Sequence, residues 1–483
     1  MRRLGLIPLV LLAIAGCVDA DDDRTPPERP PNFVLVLADD LGFSDLGCYK
    51  AWLIKTPRID AVAGQGLRLT SFYAQPICGP SRAALLTGSH PMRVAERGSE
   101  KRIHPMLHPR EVTLAEVLKA RGYTTACLGK WDLAGHSNTR YAPDLLPQHQ
   151  GFDVYFGTPS SNDSVEETVL LRGDRLVEKP ADQATLTRRY TDEAIRFIEA
   201  HRDEPFFVYL PYTMPHAPLA ASPEFRGKSR RGLYGDVVAE IDWNFGRLID
   251  AIGALGLAEN TYVIFTSDNG PWLIKGAKGG SARPLRAGKL STWEGGVRVP
   301  AIVWGPGRVP AGGTSDQLMT TMDILPTLTA LAGAALPKDR VIDGNDVSAV
   351  WHDEPGAASP TRTYYYYLWT HLQAVRSEKW KLHVPRPARP PWLGDLVLAN
   401  HVAPEDYVEI LRPLLFDLEA DPGERNDVAA QHPEVVERLM RLVEKAREDL
   451  GDYDRSGSGQ RFFDPRGQAR SGVGEQAAGP LQR

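Results

Sequence analysis

Cysteine is scarce in this chain: four residues in 483, at positions 17, 48, 78 and 127. So few thiols in so long a chain make no disulfide framework, and stability has to come from a core. Long apolar runs are scarce too, since the stretch from Leu4 to Ala15 is too short to span a bilayer comfortably. Blocks of like charge are missing and the formal charge is −5, which gives no electrostatic reason to expect nucleic acid as a partner. A small anionic ligand stays open, because local basic residues can converge in an acidic protein. No internal repeat is visible. What is left, 42% hydrophobic and 24% charged residues, is ordinary globular composition with enough length for one large domain plus a smaller one.

The N-terminus reads as targeting rather than fold. "MRRLGLIPLVLLAIAGC" has two arginines, a short apolar run and small residues before Cys17, a secretory signal pattern over residues 1–17. Ile14-Ala15-Gly16-Cys17 resembles the bacterial lipobox, in which the cysteine is lipidated and becomes the mature N-terminus. The acidic, proline-rich residues 18–31 then form a solvated tether. The expected location is an exported protein, lipid-anchored in a bacterial cell envelope, in the outer membrane, which Val18 after the cysteine favours by resemblance, or in the periplasm. Membrane contact is expected through the lipid anchor only.

Beyond the tether, β-branched runs end in turn or polar residues: "NFVLVLADD" from Asn32, "TTACLGK" from Thr124, "FFVYLPY" from Phe206, "TYVIFTSDNG" from Thr261 and "PAIVWGPG" from Pro300. Each is continuously apolar, the pattern of a strand buried on both faces. Helical patterns lie between them, from Thr113, from Thr191 and from Tyr234. The alternation predicts an α/β fold over residues 32–358: a large, mostly parallel (mixed) sheet sandwiched by helices. After Ser359 the pattern changes to antiparallel strands and one amphipathic helix, a smaller α+β subdomain over 359–451, and residues 452–483 read as a frayed tail.

In such sheets ligands sit beyond the carboxyl ends of the strands. Asp39 and Asp40 follow the first strand, Lys130 the second, Asp268 and Asn269 the fourth, and His216 lies shortly after the third. The acidic and amide groups offer only oxygen donors, which suit a hard cation, calcium before magnesium, and not a zinc held by sulfur and imidazole. Arg82 stands four residues after Cys78; Lys130, His216 and Lys289 come from separate loops, and basic donors beside a divalent cation suit an ester of sulfate or phosphate. Cys78, in "AQPICGPSRAALLTG", could be no more than a small buried hydrophobe on its own.

That stretch resembles the signature of the type I sulfatases, C-x-P-S-R followed by a small-residue run ending in T-G, members of the alkaline phosphatase superfamily. "GYTTACLGKW", "HQGFDVYFGTPSSND", "MPHAPL", "TYVIFTSDNGPW", "PLRAGKLSTWEGGVRVPAIVWGPG" and "LFDLEADPGERNDVA" are each similar to a sulfatase segment, in the family's order, from about Asn32 to Leu450. The resemblance implies an alkaline-phosphatase-like fold and an arylsulfatase-like sulfuric ester hydrolase. It implies that Cys78 is oxidised by a formylglycine-generating maturation enzyme to 3-oxoalanine. The hydrated aldehyde attacks sulfur through one hydroxyl, and loss of a proton from the other expels sulfate. It further implies that Asp39, Asp40, Asp268, Asn269 and the modified Cys78 hold calcium, and that Arg82 steadies the diol and the carboxylates. Lys130, Lys289 and His216 bind sulfate, His216 also protonates the leaving alcohol, and Ser161 touches the substrate.

One position departs from the family. G-K-W-H is replaced by Gly129-Lys130-Trp131-Asp132, so the residue that takes the proton on collapse is here a carboxylate, with His136 a few residues on as the other candidate. An acid beside an anionic substrate needs a raised pKa or an offset from Lys130. The substrate expected from export is a sulfated carbohydrate or a small sulfate ester. A phosphonate or phosphate ester hydrolase on the same scaffold, and a non-catalytic binder of sulfated glycans, are the other readings. Trp272, Trp293 and Tyr364 to Tyr367 offer rings for sugar stacking but fit core packing better.

Overall fold

The computed structural model describes residues 29–97, 103–135, 137–387 and 408–461. The signal, Cys17, most of the tether and His136 lie outside them. Eleven strands form one sheet: β1 (Asn32–Ala38), β2 (Leu67–Tyr73), β3 (Thr124–Lys130), β4 (Val154–Thr158), β5 (Leu170–Arg172), β6 (Arg175–Glu178), β7 (Phe206–Pro211), β8 (Thr261–Ser267), β9 (Arg298–Trp304), β10 (Gly313–Ser315) and β11 (Met319–Thr320). Their order is β10-β2-β9-β8-β1-β7-β3-β4-β5-β6, with β11 also on β2. The central five, β8-β1-β7-β3-β4, are parallel, and β9 turns antiparallel against β8.

The five runs read from sequence are all strands of this sheet, and β1 shows why their apolar character is continuous. Phe33, Leu35 and Leu37 enter the core on one face while Val34, Val36 and Ala38 enter the core on the other. Helices Pro57–Gly64, Gln183–Ala200 and Leu233–Ala254 cover the second face; Cys78–Thr87, Leu114–Ala120 and Ile324–Leu331 cover the first. Thr113 caps its helix with a reciprocal Glu116 bond, a sequence-visible start. The helix expected from Thr191 begins earlier, at Gln183, capped by Asp182; Leu186, Thr187 and Tyr190 extend its buried face across a stretch with two arginines.

A second, antiparallel sheet of Thr363–Leu368, His371–Ser377, Trp380–His383 and Leu414–Asp417 carries helix Pro433–Asp449, whose Leu439, Val443 and Ala446 close a small core. Regular structure continues past Asp452 in the pair Gly451–Asp452 and Arg455–Ser456, and Arg461 bonds Glu111 at 2.9 Å. A polar run with few apolar anchors is held here by an ion pair, which hydropathy does not register. Among the described residues no helix is long and apolar enough to cross a membrane.

A buried ion cluster joins the two sheets. Lys381 Nζ lies 3.0 Å from Glu294 and 2.9 Å from Glu424, and donates to the Thr292 carbonyl at 2.8 Å. Tyr366 adds a bond to Glu294 at 2.8 Å, and His383 one to Glu424. Burial would raise Glu294, but Lys381 and the nearby arginines bring it down to about 2. Lys381→Met is expected to destabilise the protein by about 3–5 kcal/mol, because two buried acids lose their partner. Urea unfolding measures this, and an unchanged midpoint would mean that the cluster is not what clamps the sheets.

Candidate active site

Helix Cys78–Thr87 begins at the cysteine itself. Pro80 sits in its first turn, where the missing N–H is one that no helix uses, and Ala83-Ala84-Leu85-Leu86 propagate it. Gly88, at φ 63°, ends it with an N–H to the Ala84 carbonyl. Cys78 and Arg82, four apart, therefore share one face. The N-terminal end of the helix places Cys78 among residues from the ends of β1, β3 and β8.

Asp39, Asp40, Lys130 and Asp268 come from the ends of β1, β3 and β8, Arg82 from the helix itself and Lys289 from a loop before β9. Asp39, Asp40, Asp268, Arg82, Lys130 and Lys289 are all buried. Arg82 holds Asp268 through Nε at 3.2 Å and a terminal nitrogen at 2.7 Å, reaches Asp39 at 3.3 Å and donates to the Lys130 carbonyl at 2.8 Å. Lys130 Nζ lies 2.6 Å from Asp39, and Lys289 Nζ 2.7 Å from Asp40. Gly129 brings Lys130 in: its φ is +145°, and a Cβ there would stand 1.9 Å from the Pro211 carbonyl oxygen. The three acids and three bases balance.

Cys78 Sγ sits among them, 3.3 Å from Asp39 Oδ1, 3.9 Å from Asp40 Oδ1 and 3.3 Å from Lys289 Nζ. Burial, then Asp268 and Asp39, push its thiol well above the ordinary range. A thiolate nucleophile needs the opposite shift. Burial would raise Asp39 too, but Lys130, His216 and Arg82 hold it far below a usual carboxylate. Asp40 is raised by burial and by its two acidic neighbours, against Lys289.

Asp39, Asp40, Cys78 and His216 place ligand atoms within 4.8 Å of one another, a group able to hold a metal ion. Asn269 adds a buried Oδ1 with no hydrogen-bond partner in the structure, while its Nδ2 donates to Asp40 at 2.7 Å. The carboxylates and this amide oxygen are a hard-cation donor set.

His216 Nε2 is 3.6 Å from Asp40 and 3.7 Å from Asp163, with its ring 5.1 Å from that of Trp272. Ser161 does not reach Cys78 through any hydrogen bond found here; it donates to Asp163, and so connects to His216 at one remove. Asp132, at φ 56°, has Oδ2 3.6 Å from Lys130 Nζ, so Lys130 offsets its charge. Asp163 has no mark in residue type before its loop is folded, although "SSND" contains it; Trp272, which the sequence offers as a stacking ring but better as core, stands instead beside His216. Trp293 and Tyr364, Tyr366 and Tyr367 are core residues, and Cys48 and Cys127 are free thiols.

The profile of the sulfatase family matches residues 31–334, and that of the C-terminal region of aryl-sulfatase matches residues 359–471. The chain belongs to the sulfatase family. The N-acetylgalactosamine-6-sulfatase of Canis lupus familiaris is 36% identical over 468 residues, covering 87% of each chain, and human arylsulfatase A is 37% identical over 465 residues, covering 86% of this chain and 87% of its own. Among solved structures, the PsFucS1 sulfatase from Pseudoalteromonas sp. superposes with a TM-score of 0.75 at 28% identity, over 86% of this chain and 90% of that one. The sulfatase is accordingly a sulfuric ester hydrolase.

Arg82 is the residue on which the cluster's balance turns. Arg82→Ala is expected to cost about 3–5 kcal/mol, since Asp268 and Asp39 remain buried without it. Arg82→Lys should recover only part, because an ammonium cannot reproduce the fork to Asp268 and the Lys130 carbonyl. Equilibrium unfolding of both variants checks the order; equal stabilities for Arg82→Lys and the parent would refute the geometric part.

Proposed function

We propose that this sulfatase is an exported, lipid-anchored enzyme that hydrolyses sulfate monoesters of a sulfated carbohydrate, with a formylglycine made from Cys78 by a maturation enzyme and a bound calcium ion. The observation that carries the reading is the environment of Cys78: a buried thiol at a helix N-terminus, held protonated between two carboxylates and a lysine. As a thiol it is a poor nucleophile. Hydrated as an aldehyde, the same position supplies one hydroxyl to attack sulfur and a second through which sulfate is released. Calcium supplies Lewis acidity, and Asp39, Asp40, Asp268 and Asn269 would hold it.

The remaining roles follow from charge. Lys130 and Lys289 present ammonium groups to a sulfate, each already paired with a carboxylate so that neither is a bare buried cation. Burial first, and then Lys289, push His216 down to about 3. A sulfate beside it offsets Lys289, which moves the imidazole back toward the range where it can protonate a leaving alcohol. Asp132 is the base for the second hydroxyl, with Lys130 lowering the cost of its charge. The sulfated sugar is supported by the name of the N-acetylgalactosamine-6-sulfatase relative, and the envelope location by the Cys17 motif.

Two measurements test this. Mass spectrometry of the peptide containing position 78, from protein produced with a maturation enzyme, should show the aldehyde. Sulfate release from an aryl sulfate and from sulfated oligosaccharides should then be lost on chelation and restored by calcium. A persistent thiol would overturn the role of Cys78, and an aldehyde with no release on any substrate would favour a glycan binder. In a second experiment, Asp132→Asn should lower kcat by on the order of 100-fold while KM falls, since a negative charge facing the anion is removed, and Asp132→His retains activity. An unimpaired Asp132→Asn enzyme would remove Asp132 from the mechanism.

A further inference from the structure

A cavity of about 1050 Å³ lies apart from the Cys78 site. It lies between the segment 43–54 and the loop 273–287, against β2 and the start of β9. Its charge runs against that of the chain. Lys50, Arg68, Arg231, Arg283 and Arg298 line it, and Asp45 is the one acid that does. Asp45 is already committed, accepting from the Gly42 and Ser281 amides at 2.9 Å and from Tyr234 at 2.7 Å.

Arg68 and Arg231 are fixed by neutral groups, whereas Arg298 is paired with Glu294 at 3.5 Å. Arg68 donates to the Cys48 carbonyl at 2.5 Å and to Thr314 at 3.2 Å, and its buried Nε has no hydrogen-bond partner in the structure. Arg231 donates to the carbonyls of Ala277 and Gly279, at 2.9 and 2.8 Å. Carbonyls and a hydroxyl orient a guanidinium but leave its positive charge intact. Aromatic rings stand beside these groups: Phe43 and Tyr49 within the wall, and Trp52 on the rim, 83% exposed. A large ring left that exposed has no packing role.

We infer that this groove is a second binding site, for an anionic oligosaccharide whose rings stack on Trp52 and whose sulfate or carboxylate groups meet the arginines. Rings supply flat apolar faces for the C–H side of a sugar, and guanidinium forks match planar or tetrahedral oxyanions. The volume is that of a ligand site rather than a surface dimple. Position favours a polymer: Leu273 and Ala287 line the groove, while Trp272 and Lys289, next to or near them in the same loop, stand at the catalytic cluster. A sulfated chain engaged at Cys78 therefore has a basic, aromatic surface on the other side of one loop to continue along. The inference rests on the sulfated-carbohydrate reading above.

Binding, measured apart from turnover, tests it. Titration of the full-length protein with chondroitin sulfate and carrageenan hexasaccharides at physiological salt should show association that Trp52→Ala/Arg283→Ala weakens by about tenfold or more, while His216→Ala leaves it largely in place. Release of sulfate from a small aryl ester, too small to bridge the loop, should be unchanged in the double variant. No association, equal affinity in the double variant, or equal binding of polyglutamate or of an unsulfated hexasaccharide would overturn the proposal. Because aryl sulfate turnover is read separately, a failed groove and a failed sulfatase give different results.

Discussion

Everything at the catalytic end of this protein depends on holding Asp39, Asp40 and Asp268 out of water beside their counter-charges. Each buried carboxylate loses several kcal/mol of hydration that only close counter-charges and hydrogen bonds return. The parallel strands β1 and β8 deliver the acids side by side, and no single neighbour can neutralise three. Arg82 arrives from a helix, Lys130 from β3 and Lys289 from a loop before β9, so three separate parts of the chain have to dock before the acids are tolerable. The site is thereby a product of the complete fold, and a divalent cation with an anionic ester adds charges of opposite sign to a cluster that is already balanced.

Much of this was legible in sequence because it follows short-range rules. Strands buried on both faces show as unbroken β-branched runs, and polar residues just past their ends mark the rim, which located Asp39, Asp40, Lys130, Asp268 and Asn269. Other parts obey longer-range physics. The short flanking strands β5, β6, β10 and β11 have two to four residues each and no pattern of their own; pairing alone defines them. Asp163 enters the site only because its loop folds back on His216, and the groove lined by Arg68 and Arg298 joins residues more than two hundred positions apart. Helix Cys78–Thr87 was hidden by the proline and glycine that its first turn tolerates.

The C-terminal layer bears on the site in the same way. Thr292 and Glu294 lie between Lys289 and β9, and both are gripped by Lys381, the first through its carbonyl. Thr292 also donates to Gln373 at 2.8 Å. The loop that delivers Lys289 to Asp40 is thus anchored from behind by the second sheet. A small domain that contributes none of the charged cluster still sets the geometry of one of its three cations.

The exchange of histidine for Asp132 has a consequence for which esters the site can accept. A neutral imidazole adds no charge to the cluster, whereas a carboxylate adds one negative charge close to where the anion binds. Lys130 Nζ, 3.6 Å from Asp132 Oδ2, offsets part of it, but the same ammonium also lies 2.6 Å from Asp39. What is not offset repels the substrate in proportion to its charge. At an effective permittivity of about 20, one pair of unit charges about 4 Å apart is worth about 4 kcal/mol, so a dianion feels twice the penalty of a monoanion. A sulfate monoester carries one negative charge and a phosphate monoester at neutral pH close to two. Under the role proposed for Asp132, its charge disfavours a phosphate dianion more than a sulfate monoanion.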